Sequence, residues 1–197
     1  MKPAAADSDA DLLRRALSGD AESFSVLYRR RHAAVYRYAF HMCGSEAIAE
    51  DVTQEVFLAL LREGHAYEPG RGSLASYLIG IARNQVLRIL ERERVSVPLM
   101  EEAEEELSTE RWLATSGDVL AQLTLQQTLD ALRKAVLSLP PAYREVVVLC
   151  DLEEMSYAQA AETLSCAVGT VRSRLSRARK MLVERMLSRV QSARCPA

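Results

Sequence analysis

S-Y-A-Q-A-A-E-T-L-S-C-A-V-G-T-V-R-S-R-L-S-R-A-R-K, residues 156–180, reads as two short helices joined by a tight turn. Ala161 is small where a second helix has to pass close, and Ser165-Cys166-Ala167 supplies a break after Leu164. In the second helix Val168, Val171, Leu175, Ala178 and Leu182 recur at i, i+3, i+7, i+10 and i+14, one buried stripe at helical spacing. Thr170, Ser173, Ser176, Arg177 and Lys180 point away from that stripe, with Arg172, Arg174 and Arg179 on its flanks. From Ala167 to Ala197 eight Lys or Arg stand against a single acid, Glu184. Small hydroxyls among arginines, on a helix that fits the major groove, supply both base-edge and phosphate contacts, so DNA is the natural target. Arginines also favour a helix C-terminus for its dipole alone, but that reading leaves the preceding helix and turn unexplained.

Outward from this motif, the charge falls into three blocks. The formal net charge of −2 over 197 residues divides into 0 for residues 1–98, −7 for 99–130 and +5 for 131–197. With 49% hydrophobic and 26% charged residues, six prolines, eight glycines and no alternating strand-type runs, the chain is expected to be all-α. The reading is two small helical domains, over residues 8–95 and 119–187, joined by an acidic flexible linker at 96–118.

In the first domain, Ser8 or Asp9 caps a short helix from Asp11 to Leu17, Asp20 caps a longer one, and Gly44-Ser45 ends that helix and starts a third. On the third, Ile48, Val52, Val56 and Ala59 form an apolar stripe. Phe57 and Leu61 lie roughly opposite it, beside a polar row of Asp51, Gln54, Glu55 and Arg62. A helix apolar on two sides is either central in its own domain or shared with a partner, and the acidic row is either a solvated face or a docking surface. Gly64 to Gly72 reads as a loop, and Ser73 caps a fourth helix whose Leu74, Leu78, Ile81 and Ile89 face the core. Tyr77, Asn84 and Arg88 share another side, with Arg83 nearby, a set suited to stacking on and hydrogen-bonding unpaired bases. In the second domain, helical periodicity resumes near Val119 and runs to Leu139; Pro140-Pro141 then starts a short helix that buries Val146, Val147 and Leu149.

Enzymatic chemistry finds no support. There is no Gly-rich phosphate loop, and the three histidines (32, 41, 65) and four cysteines (43, 150, 166, 195) form no ligand cluster. His41 and Cys43, two residues apart, point to opposite sides of a helix and cannot share a metal. No metal or cofactor is expected. The N-terminus lacks the apolar core of a signal peptide and no apolar run approaches the roughly 20 residues that span a bilayer, so a cytoplasmic protein without membrane insertion is expected.

Four ordered motifs, A-E-D-V-T-Q-E-V-F-L-A-L-L-R (49–62), S-Y-L-I-G-I-A-R-N (76–84), L-P-P-A-Y-R-E-V-V-V-L (139–149) and M-S-Y-A-Q-A-A-E-T-L-S-C-A-V-G-T-V-R-S-R-L-S-R-A-R (155–179), together resemble an extracytoplasmic-function sigma factor of bacterial RNA polymerase. The resemblance runs from Asp9 to about Met186. It implies a region 2-like domain, an acidic linker and a region 4-like helix-turn-helix domain. It further implies that Asp51, Gln54, Glu55 and Phe57 bind the polymerase core (β′ clamp and β subunits). Tyr77, Arg83, Asn84 and Arg88 would read and melt the −10 element of promoter DNA, and Thr170, Arg172, Ser173, Arg174 and Arg177 would read the −35 element. An anti-sigma factor is a further expected partner. The sequence departs from the family pattern at Tyr77 (often Trp), Arg88 (commonly Asp), Ala160 (a bulkier apolar residue) and Ser165-Cys166-Ala167 (more usually Gly, a branched apolar residue and Ser). A free-standing helix-turn-helix regulator is the alternative; it accounts for the basic helix but not for the third and fourth.

Overall fold

The structure, a computed structural model, describes residues 7–96 and 119–194, with side chains described for 7–92 and 126–187. The acidic linker expected at 96–118 lies, beyond Ser96, outside the described residues. Among the described residues every regular element is helical: α1 (Asp9–Leu17), α2 (Ala21–Cys43), α3 (Glu46–Glu63), α4 (Leu74–Ser96), α5 (Val119–Leu137), α6 (Pro141–Val147), α7 (Tyr157–Thr163) and α8 (Val168–Arg194).

The local chemistry of the boundaries explains most of these limits. Ser8 accepts from the Asp11 amide, Asp20 from the amides of Glu22 and Ser23, and Ser45 from that of Ile48, each satisfying donors that the first helical turn leaves free. Helix α1 therefore starts two residues earlier than expected, at Asp9, and Asp9 is left to pair with Arg30 and Arg31 of α2. α1 closes through Gly19 at φ 99°, with Gly19 N–H donating to Ala16 O and Asp20 N–H to Arg15 O. α7 ends with the same pattern: Ser165 N–H donates to Glu162 O, and Cys166 N–H donates to Ala161 O. Here, however, the left-handed position is filled by Ser165 at φ 50°. An L-residue pays about 1–2 kcal/mol for that conformation and glycine loses only part of this advantage to its greater unfolded-state freedom. Ser165→Gly is therefore expected to stabilise the fold by about 0.5–1 kcal/mol, read as a raised denaturation midpoint at unchanged m-value; a lowered midpoint would contradict it.

α2 and α3 cross α4 over a core of Leu27, Val35, Tyr38, Met42, Val52, Val56, Leu60, Leu78 and Val86, each 2% exposed or less. Burying each large side chain contributes about 1.5–3 kcal/mol. Two departures from the expected faces follow from this packing. Along α4 the inner face is Leu74, Leu78, Ile79, Ala82 and Val86, while Ile81 and Ile89 are only half-buried. In the second domain α6, α7 and α8 enclose Val146, Leu149, Ala160, Val171, Leu175 and Ala178, but Val168, in the first turn of α8, is 37% exposed. The stretch expected as one helix from Ala142 to Leu152 is α6 followed by a π-helical turn, Val148–Leu152, closed by Glu153 N–H donating to Val148 O. Likewise the loop after α3 opens with a 3₁₀ turn at Gly64–Ala66.

The two helical units do not stand apart. Leu139, Val146 and Val147 of the second join the same apolar cluster as Tyr38, Met42 and Ala82 of the first. Gly44 is what lets α5 approach: at φ 77°, it has the Leu137 Cδ1 only 2.7 Å from where a Cβ would stand. Leu129 and Leu132, apolar positions of α5, remain 37% and 39% exposed beside a groove that also includes Phe40, His41, Val136 and Leu152. Burial in that groove, with Arg133 and Arg37 nearby, holds the His41 imidazole below its ordinary pKa.

Candidate polymerase and nucleic-acid interfaces

Three surfaces carry the residues singled out in the sequence. On α3, Asp51, Gln54 and Glu55 are exposed on successive turns, and Glu55 pairs with Arg62. Phe57 is 3% exposed, so its ring is not itself a contact surface. It lies edge-on to Phe24 at 6.3 Å and against Tyr28 at 4.7 Å, and Tyr28 in turn stacks on His32 at 4.9 Å. Beside the acidic row, Tyr28, Leu58 and Leu61 are 36%, 51% and 39% exposed. The second apolar side of α3 is thus an aromatic ridge shared with α2, partly covered and partly open. Periodicity places Phe24 and Tyr28 on the apolar side of α2, but that they meet Phe57, and that His32 stacks on Tyr28, depends on contacts between two helices that spacing does not show.

The second surface is a pocket of about 380 Å³ at the N-terminal half of α4 and the loop before it, bordered by Tyr67, Gly72, Tyr77, Arg83, Asn84 and Glu162. Ser73 caps α4 here, its Oγ accepting from the Ser76 amide at 3.1 Å, so that Tyr77 projects from a fixed first turn and Asn84 from about two turns further along. Tyr67 packs on Tyr77 with ring centroids 5.4 Å apart, and its hydroxyl donates to the Gly72 carbonyl at 3.0 Å, tying the loop shut. Burial raises the pKa of both phenols, reinforced by Asp9 at Tyr67 and by Glu63 at Tyr77, so both are neutral donors at pH 7. Tyr67 was overlooked in the sequence, although an aromatic residue within a Gly-rich loop was the available signal. Of the four expected strand-reading residues, Tyr77, Arg83 and Asn84 border the pocket. Arg88 is exposed, one turn further along, outside it.

The third surface is the outer face of α8. With Val171, Leu175 and Ala178 buried, Arg172, Ser173, Ser176, Arg177 and Lys180 are exposed, and Thr170 and Arg174 are half-buried. Arg172 lies over the Tyr157 ring at 5.8 Å, which steadies it without neutralising it. Arg179 differs from its neighbours: its Nε donates to Asp151 at 3.1 Å and its Nη2 at 2.5 Å, clamping α8 to the turn after α6. α7 begins with a capping box, Ser156 and Gln159 each bonded to the other's backbone, which satisfies two donors of its first turn.

The described residues thus form helical units that carry an acidic-faced helix, an aromatic-lined pocket and a basic outer helix face beside a helix-turn-helix. Comparison with known proteins identifies the family. The sigma-70 region 2 family model matches residues 27–95 and the sigma-70 region 4 model residues 129–182. The chain is 35% identical over 162 residues to the ECF RNA polymerase sigma factor SigE of Mycolicibacterium smegmatis, covering 81% of this chain and 60% of that protein's length. It is 30% identical to the ECF RNA polymerase sigma factor SigM of Mycobacterium tuberculosis, over 89% of this chain and 83% of the relative. Among solved structures it resembles CnrH, determined in complex with the cytosolic domain of CnrY, with a TM-score of 0.62 and 26% identity over 92% of this chain and 99% of that one. The chain belongs to the extracytoplasmic-function RNA polymerase sigma factors. Membership in that family accounts for α3 and α4 as well as the basic helix, which the free-standing regulator does not.

Proposed function

We propose that the three surfaces divide the work of initiation. α3 docks on the polymerase core through Asp51, Gln54 and Glu55, with Phe57 supporting the exposed rim of the aromatic ridge from beneath. The Tyr67–Tyr77 pocket, with Asn84 and Arg83, receives a base of the opened −10 strand, and Arg88 lies along the strand's path as a phosphate partner. The outer face of α8 reads the −35 duplex through Thr170, Arg172, Ser173, Arg174 and Arg177. The observation that carries this reading is the pocket: two packed aromatics, an amide and a guanidinium line one cavity between the loop and the N-terminal half of α4, which is what an unstacked base needs and a duplex does not.

In this reading the protein has no chemistry of its own and acts in the cytoplasm, where core and promoter are; no helix among the described residues is long and apolar enough to cross a membrane. The boundaries follow as a region 2-like unit over 8–95 and a region 4-like unit over 119–187, with the acidic segment between them as tether. An anti-sigma factor is proposed as a further partner, in keeping with the complex in which CnrH was solved.

Asn84→Ala separates the two DNA surfaces. It is expected to lower strand opening, followed by permanganate reactivity of unpaired thymines, by about five- to tenfold, since one hydrogen-bonding group to a base is worth on the order of 1 kcal/mol or somewhat more. Protection of the −35 duplex in a footprint should persist. Parallel loss of both signals would show that α4 and α8 do not act at separate steps.

A further inference from the structure

α4 carries a glycine that its own fold does not use. Among the described residues Gly80 is the only glycine standing more than one turn inside a helix, and α4 runs unbroken through it without left-handed backbone there. Other glycines answer to their surroundings: a Cβ at Gly44 would stand 2.7 Å from Leu137 Cδ1, and one at Gly64 would stand 3.3 Å from Leu17 Cδ2. A Cβ at Gly80 would meet nothing within 4 Å. After proline, glycine is the residue least suited to a helix interior, because it has the most backbone freedom to lose. Alanine would fit and would favour the helix, so the bare backbone at this position does nothing for the chain's own stability.

Its place on the helix shows what the gap serves. Counting about 100° per residue, Tyr77 and Asn84 lie about 60° and 40° to one side of Gly80, and Arg83 lies about 60° to the other. All four line the same pocket of about 380 Å³, with half-buried Gly80 at the middle of the wall that α4 supplies. Tyr77 and Asn84 are two turns apart, roughly 10 Å along the helix axis. A base that stacks on the ring and bonds to the amide therefore has to lie across position 80. Any side chain there would hold it off the helix and out of reach of one partner or the other. Glycine in a regular element is the residue that permits such close approach to backbone.

Resting on the proposed role of the α4 pocket, we propose that Gly80 is the seat of the unpaired base: its missing side chain lets the base lie against the α4 backbone, within reach of the Tyr77 ring and the Asn84 amide at once. Filling the position should then move fold stability and strand binding in opposite directions, which a purely structural role would not do.

The test makes Gly80→Ala and Gly80→Leu in the full chain. In urea, Gly80→Ala should raise the denaturation midpoint at unchanged m-value, because its methyl enters open space; a lowered midpoint would show that the fold needs the glycine and would overturn the proposal. Each variant, assembled with core polymerase, is then titrated with a fluorescent single-stranded oligonucleotide carrying the −10 sequence of a promoter the holoenzyme uses. Strand affinity should fall about fivefold for Gly80→Ala and about a hundredfold for Gly80→Leu, the range that overfilling a packed site produces. Core affinity and −35 protection should match the parent. The decisive comparison removes the base instead of the space. On a strand made abasic at the position contributing most to parental binding, parent and Gly80→Leu should bind within about twofold of each other. The same penalty on intact and abasic strands, or full affinity of Gly80→Leu for the intact strand, overturns the proposal. Asn84→Ala in the same titration locates the failure. If it weakens binding while Gly80→Leu does not, the pocket stands and the close approach falls; if neither substitution changes strand binding, the strand is not read in this pocket at all.

Discussion

Asp51→Arg combined with Glu55→Arg is expected to abolish assembly with core polymerase, weakening it by about 3–4 kcal/mol, or roughly two to three orders of magnitude. Both carboxylates are exposed on one side of α3, beside the open rim of the Phe24, Tyr28 and Phe57 ridge. An acidic row next to an apolar rim suits a basic partner surface with an apolar pocket, and reversing two charges turns attraction into repulsion at the centre of that contact. Within the chain the change is mild. Glu55 loses an exposed pair with Arg62, of a kind worth at most about 1 kcal/mol, and the buried side of α3 (Val52, Val56, Leu60) is untouched. Helical content by circular dichroism should therefore match the parent. Glu91→Arg, an exposed reversal on α4, should leave assembly intact. Core affinity unchanged by the double substitution would reduce the acidic row to a solvated face.

Arg177→Ala and Arg174→Ala carry the second large effect. Arg177 is exposed on the outer face of α8, whereas Arg179, two residues on, is held by Asp151. Removing Arg177 is therefore expected to take away the proposed DNA contact while breaking no ion pair among the described residues. If bidentate to a base, each is worth about 1–3 kcal/mol, five- to 150-fold in affinity, confined to one position of the −35 element. A phosphate contact instead weakens every sequence alike and lowers the salt slope by about one. Competition with single-base variants of the element, repeated at several salt concentrations, tells these apart, and unaltered holoenzyme affinity for both substitutions would remove α8 as the reader. Arg179→Ala should behave differently, lowering thermal stability because the clamp to Asp151 is lost.

Much of the architecture was legible because helices announce themselves by period and cap. Ser8, Asp20, Ser45 and Ser73 each cap a helix where the sequence offered a cap, and the spacing located Val52 and Val56 inside α3 and Leu74 and Leu78 inside α4, though not Ile79, Ala82 and Val86. The α8 face could be read for the same reason: Val171, Leu175 and Ala178 fix the inside and so the outside. What escaped depends on contacts between distant segments. Glu145 looks like one more polar residue in P-A-Y-R-E-V-V-V-L, yet it is 3% exposed because α4, some 60 residues earlier, lies over it. Leu129 and Leu132 carry the right period but stand at the rim of a groove. The π turn after Val147 adds a residue to the helical repeat, which no local pattern in V-L-C-D-L signals. Phe57 was rightly placed opposite the main stripe, but that side is roofed by rings from α2, and the residue is covered rather than displayed.

Sigma-free core polymerase, promoter-bearing genomic fragments and the purified chain, mixed in a run-off transcription assay, test the central claim most directly. Core with the chain should yield discrete transcripts from defined start sites, the chain alone should protect no promoter, and core alone should start at none. A chain that binds its DNA equally well without core, and whose addition produces no discrete start, would contradict it.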